Sequence, residues 1–182
     1  MTKRLFDLFF SILGLVFSFP LLALFYILAT LDTRQHGIFL QQRIGQFGKP
    51  FTIYKLRTYG LSTEKPVSKF GAFLRNSKID ELPQLLNVFV GDMSFVGPRP
   101  DISGYYDILK GEDRKILELK PGLTSLASIK YANEDELLAQ QENPLLYNDT
   151  VLFPDKVKMN LEYYYTNTIF GDIKIIWNTL IR

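Results

Sequence analysis

The chain has 182 residues, a mass of 21.0 kDa and a net charge of +2, from 21 Lys+Arg against 19 Asp+Glu. That length suits one domain of ordinary size, and the near-neutral balance offers no field for nucleic acid. Cysteine is absent and His36 is the one histidine, which excludes a disulfide framework, thiolate chemistry and a multi-histidine metal site. Mean hydropathy is +0.03, high for a soluble protein, and most of it is concentrated near the N-terminus.

Leu8 to Leu31 contains no charged residue and is built from Leu, Phe, Ile, Val and Ala. As a helix rising ~1.5 Å per residue it would reach ~36 Å, against a hydrocarbon core of ~30 Å. The run is too long for a cleaved signal peptide, and no small-residue cleavage site follows it. Pro20 sits near its middle, where it removes an amide donor and crowds the carbonyl of Val16. Ser18 is placed to satisfy a freed backbone group. Each half alone is too short to cross. Two topologies therefore compete: a kinked span, and a helix–break–helix that enters and leaves by one face. Lys3 and Arg4 before the run and Arg34 and Arg43 after it suit a hairpin with both ends cytoplasmic.

Phe39 to Tyr59 reads as a β-hairpin around Gly45-Gln46-Phe47-Gly48. Leu61 to Lys69 reads as a loop, and Lys69 to Asn76 as a short helix. A second helix is expected from Asp80, with Leu82, Leu85, Leu86 and Phe89 at helical spacing and Pro83 in its first turn. Gly91 to Pro100 must be a structured loop. Helices are expected over Ile102–Leu119, Ala132–Gln141 and Pro154–Tyr165, with a turn at Lys120-Pro121-Gly122. Ile173, Ile176, Trp177, Leu180 and Ile181 form an apolar stripe on a final helix, read as core.

Asp80-Glu81 is the pair that could carry chemistry. Acidic residues at a helix start commonly cap amides and complement the dipole, and that reading suffices for the pair alone. The surroundings add Arg75 five residues earlier, Lys55 and Arg57 at the end of the hairpin, and Arg99 between two prolines. Carboxylates, cations and a helix N-terminus together suit a phosphate and a divalent metal.

Lys3-Arg4 with Phe6-Asp7, Lys55-Leu56-Arg57-Thr58, Asp80 to Asn87, Gly91 to Pro100 and Lys120 to Thr124 occur in an order that resembles the bacterial sugar transferase family. These are the monotopic phosphoglycosyl transferases, in their minimal form of membrane hairpin plus catalytic domain. The resemblance runs over residues 3–126 and returns around Leu161 to Asp172. It implies transfer of a phospho-sugar from a UDP-sugar to polyprenol (undecaprenyl) phosphate, through a covalent intermediate. Matched residue by residue, Asp80 becomes the nucleophile, Glu81 with Asp80 holds Mg²⁺, and Arg75 binds phosphate. Lys55, Arg57 and Arg99 complete the expected substrate contacts.

The resemblance also implies an α+β fold. A re-entrant membrane helix–break–helix at Ser18 and Pro20 would occupy residues 1–34, and a mostly helical catalytic domain with a short β-hairpin residues 35–182. The lipid bilayer is then a partner, a homodimer is compatible, and the protein belongs at the bacterial inner membrane with its catalytic domain on the cytoplasmic face. The chain departs from the family pattern from Ser125 to Asn148, at Glu162, and at Tyr59, where methionine is frequent. A non-catalytic membrane-anchored assembly protein, and the same transfer through a ternary complex, are the rival readings.

Overall fold

The computed structural model describes residues 2–61 and 67–181, so the centre of the expected loop, 62–66, lies outside the described residues. The fold is α+β and packs as two units. The first comprises Met1–Arg43 and Pro50–Met93, the second Ile44–Lys49 and Ser94–Arg182.

The first unit opens with α1 (Thr2–Thr33), one helix assigned through Pro20 without interruption. The expected break is therefore not seen as a gap in the helix. Proline removes a single amide donor, and the hydrogen-bonded turns on either side carry the helix past it. Nor does Ser18 patch that site: its Oγ is buried and has no hydrogen-bond partner among the described residues. Only Asp7, Ser11, Ala29 and Thr33 of α1 are buried. These four lie on one face at 3.6-residue periodicity, with Gly14 beside them, while Phe17 and Phe19 face outward at 76% and 70% exposure.

That face is held along its length. Near the start, the Arg4 guanidinium donates to the carbonyls of Val88 and Phe89 at 2.6 and 2.7 Å. Gly14 lies against Leu85, whose Cδ1 would be 3.1 Å from an added Cβ. Near the end, the Phe25 ring packs on Phe70 and Phe73, and Asp32 accepts from the Ser68 hydroxyl.

β1 (Ile38–Ile44) and β2 (Pro50–Leu56) form the expected hairpin, joined by a 3₁₀ turn at Gln46–Gly48. Phe47 there takes φ 60°, a left-handed conformation expected of the neighbouring glycines. α2 (Lys69–Asn76) begins where the Ser68 hydroxyl accepts from the Gly71 amide. The next segment is not one helix from Asp80. Ile79–Gln84 is a 3₁₀ stretch containing Pro83, and α3 (Leu85–Val90) follows it. Ile53, Leu56, Leu74, Leu85, Val88 and Met93 form the buried apolar centre.

One polar side chain fixes these pieces together. Asn87, fully buried on α3, accepts from the Tyr54 amide and donates to the Thr52 carbonyl. Its own carbonyl accepts from the amides of Gly91, Asp92 and Met93. It thus satisfies the edge of β2 and the end of α3 at once.

In the second unit, β3 (Ser94–Val96) pairs in parallel with β4 (Gly122–Thr124), two strands absent from the sequence reading. Gly97 and Gly122 let the two loops touch backbone to backbone; an added Cβ at Gly122 would lie 2.1 Å from the Gly97 nitrogen. The helix expected over Ile102–Leu119 is replaced by 3₁₀ turns at Tyr106–Ile108 and Gly111–Glu118. Gly104 and Gly111 adopt φ 102° and 59° there, which no α-helix permits.

α4 (Leu126–Lys130), α5 (Glu134–Ala139) and α6 (Pro144–Tyr147) are short, so the Ala132–Gln141 helix is real but truncated. α7 (Phe153–Thr166) matches the expected helix to within a residue at each end. α8 (Ile169–Leu180) buries Asp172 and Ile175. Its other stripe is not core: Phe170, Trp177 and Leu180 are 85%, 62% and 76% exposed. Tyr163 is core, its hydroxyl bonded to the buried Asp172 carboxylate.

Candidate active site

The acidic pair sits where the Ile79–Gln84 stretch packs on β2. Lys78, just before it, takes φ 57° and ψ 15°, an uncommon conformation for a side chain of that size. The chain turns sharply there and brings Asp80 inward. Asp80 is buried, and its Oδ1 has no hydrogen-bond partner among the described residues. A carboxylate placed merely to cap amides would not leave that oxygen unused.

Glu81 is secured differently. Its Oε1 accepts from Lys55 Nζ at 2.9 Å, with both side chains below 20% exposure (19% and 15%). Lys55 is a β2 residue, so this half-buried ion pair ties the acidic pair to the hairpin. Burial pushes the Asp80 carboxyl above its ordinary value, and the Glu81 charge adds to the effect. Lys55, Arg75 and Lys78 pull it back. Desolvation thus outweighs the neighbouring cations at Asp80.

Arg75, in the last turn of α2, reaches this cluster and also donates from Nη1 to the Tyr59 hydroxyl at 3.0 Å. Among the described residues Arg57 forms no hydrogen bond or ion pair with Asp80 or Glu81. Its Nε donates to the His36 carbonyl at 2.8 Å and its guanidinium lies over the Phe39 ring, tying the hairpin to the α1–β1 connection. Arg99 belongs to the second unit, where it lines a cleft with Pro98, Pro100, Tyr106 and Pro121. Ser18 and Pro20 lie in the middle of α1. In the Ser125–Asn148 stretch, Glu134 is paired with Lys156 at 2.5 Å. Asn87 and Lys78 organise the site but were not singled out from sequence. A buried asparagine is visible only through its partners, and a left-handed lysine leaves no compositional trace.

Among the described residues no group of three His, Cys, Asp or Glu side chains could hold a metal unaided. Two adjacent carboxylates, one with an unpartnered buried oxygen, nevertheless suit Mg²⁺. That ion typically takes one or two carboxylates and fills its other positions with water and substrate phosphates. The donor set fits a metal that arrives with its substrate.

The raised Asp80 pKa has a testable consequence. Below the ordinary carboxylate range Asp80 is protonated folded or unfolded and contributes no difference. Above it, the folded state holds its proton more tightly, so stability falls as pH rises through the folded value. Asp80→Asn should therefore raise the thermal midpoint of the metal-free protein at pH 7 by a few degrees. The gain should vanish as pH falls below 4. Midpoints of metal-free protein across pH 3–8 measure this, and a destabilised Asp80→Asn at pH 7 would contradict it.

The family described as Bacterial sugar transferase matches residues 1–182. An uncharacterized sugar transferase, EpsL, of Bacillus subtilis (strain 168) is 33% identical over 98% of this chain and 85% of its own length. The UDP-glucose:undecaprenyl-phosphate glucose-1-phosphate transferase of Caulobacter vibrioides is 33% identical over 98% of this chain and 68% of its own. The undecaprenyl-phosphate galactose phosphotransferase of Salmonella typhimurium is 29% identical over 97% of this chain, which spans only 39% of that relative. Some relatives therefore extend well beyond the matched region. The chain belongs to the bacterial sugar transferase family.

Proposed function

We propose that the protein transfers a sugar 1-phosphate from a UDP-sugar to undecaprenyl or a similar polyprenol phosphate, through a covalent intermediate on Asp80. The observation that carries this is the buried Asp80 carboxylate, with one oxygen unpartnered among the described residues, beside an ion-paired Glu81 and within reach of Arg75, Lys55 and Lys78. Relatives named for transfer of glucose 1-phosphate or galactose phosphate to undecaprenyl phosphate supply the substrate classes.

In the first half-reaction an Asp80 oxygen attacks the sugar-bearing phosphorus, the bond to the bridging oxygen breaks, and UMP leaves with that electron pair. In the second, an oxygen of the polyprenol phosphate attacks the same phosphorus and displaces the Asp80 carboxylate, giving a polyprenyl-diphosphate sugar. Arg75 and Lys55 lower the repulsion between the attacking carboxylate and the diphosphate. Mg²⁺, held by Glu81 with Asp80, would neutralise diphosphate charge. Desolvation at Asp80 strips the nucleophile of water before attack, while the neighbouring cations keep ionisation attainable.

Location follows from substrate solubility: one substrate is aqueous and the other lives in lipid. α1 is long and apolar enough to enter a bilayer. A straight helix of 32 residues measures ~48 Å and, if it crossed, would have its ends on opposite sides. Yet Arg4 near one end and Phe25 and Asp32 near the other all pack on the same unit. Those contacts favour an anchor that bends at Pro20 on insertion, dips in around Val16–Leu21 and returns to the cytoplasmic face of the bacterial inner membrane.

Purified protein with Mg²⁺, undecaprenyl phosphate and UDP-glucose or UDP-galactose should release UMP. Asp80→Asn should lose activity by about a thousandfold or more and Glu81→Gln by about tenfold to a hundredfold. Near wild-type turnover by Asp80→Asn would remove the nucleophile assignment. For topology, single cysteines at Thr2 and Gln35 can be introduced into this cysteine-free chain and labelled in intact and permeabilised cells. Both should be reached only from the cytoplasm; labelling of one from outside would mean a spanning helix.

A further inference from the structure

Tyr59, at the end of the hairpin, has a partner in the site. Its hydroxyl accepts from Arg75 Nη1 at 3.0 Å, and the Arg75 guanidinium carbon lies 5.2 Å from the centre of its ring. One side chain thus meets the cation twice, as a hydrogen-bond acceptor and as an aromatic face.

The backbone around Tyr59 is fixed. Tyr59 and Val67 form an antiparallel bridge. Thr58 is buried, and its carbonyl oxygen would be 2.6 Å from a Cβ added at Gly71. α2 therefore approaches the end of the hairpin at a distance only glycine tolerates. Gly71 and Arg75 are four residues apart and share one face of α2. The close approach at Gly71 brings that face along Thr58 and Tyr59, and Arg75 arrives over the Tyr59 ring one turn later.

We propose that Tyr59 is a positioning residue that holds the Arg75 guanidinium in place for the sugar-diphosphate donor. This rests on the phosphoglycosyl transfer proposed above. A free arginine side chain samples many rotamers, and fixing it beforehand removes that ordering cost from substrate binding.

The test is a double-mutant cycle on UMP release, with KM for the UDP-sugar and for undecaprenyl phosphate measured separately. Tyr59→Phe, which keeps the ring, should raise KM for the UDP-sugar about fivefold. Tyr59→Leu, which loses ring and hydroxyl, should raise it about twentyfold. In an Arg75→Ala background, Tyr59→Phe should cost nothing further, because its effect passes through the missing guanidinium. Thermal midpoints of the single variants should stay within a few degrees of wild type. Losses that multiply in the double variant, or that fall equally on both substrates through kcat, would overturn the positioning role and leave the transfer reaction standing. Absence of UMP release by the wild-type protein from UDP-glucose and UDP-galactose would overturn both.

Discussion

Asp80 is kept out of water by the packing of a 3₁₀ stretch against β2, and the surrounding structure answers that buried negative charge. Desolvation and the adjacent Glu81 both oppose ionisation. Against them stand Lys55 from the hairpin, Arg75 from α2 and Lys78 from the left-handed residue before the pair. Three separate segments must therefore be held in register for the carboxylate to be usable. Asn87 does this for the hairpin and α3, and the close approach at Gly71 does it for α2. A fold without a catalytic use for Asp80 would gain stability by discarding the charge. Keeping it is the pattern expected where activity and stability pull in opposite directions.

The long apolar helix belongs to the same logic. α1 is not an independent tether: its polar and small residues, Asp7, Ser11, Gly14, Ala29 and Thr33, form one face that packs on the unit bearing the acidic pair. The remaining circumference is apolar and exposed, as lipid-facing surface would be. Arg4 adds a direct tie, since the two carbonyls it caps close α3, the helix that begins where the 3₁₀ stretch ends. The long apolar helix and the acidic pair are thereby coupled through shared packing, as the proposed transfer to a lipid-borne acceptor would need.

Much of this was legible in the sequence where the causes are local. The hairpin follows from its glycine-bounded turn, and α2 and α7 lie within a residue of their expected bounds. Ile102–Leu119 failed because Gly104 and Gly111 are used in left-handed conformations, which turned an apparent helix into 3₁₀ turns. β3 and β4 are three residues each, too short to show alternation, and exist because Gly97 and Gly122 allow their loops to touch. The α8 stripe expected as core is largely exposed, because helical spacing says only that one face is apolar and not what covers it. At the site, residue identity indicated the acidic pair and Arg75. The Lys55–Glu81 ion pair and the desolvation of Asp80 depend on contacts between distant segments, which no spacing rule contains. The polar stripe of α1 was present at readable spacing and passed unnoticed behind the hydrophobicity of the run.

The central claim is that Asp80 carries the phospho-sugar between donor and acceptor. Its most direct test is mass spectrometry of protein incubated with a UDP-sugar and Mg²⁺ but no polyprenol phosphate, acid-quenched and digested. The account predicts a peptide containing Asp80 that carries the mass of one sugar phosphate, absent from Asp80→Asn and discharged when undecaprenyl phosphate is added before the quench. Full UMP release on addition of both substrates, with no such adduct at any donor concentration, would show that the two substrates react directly and would contradict it.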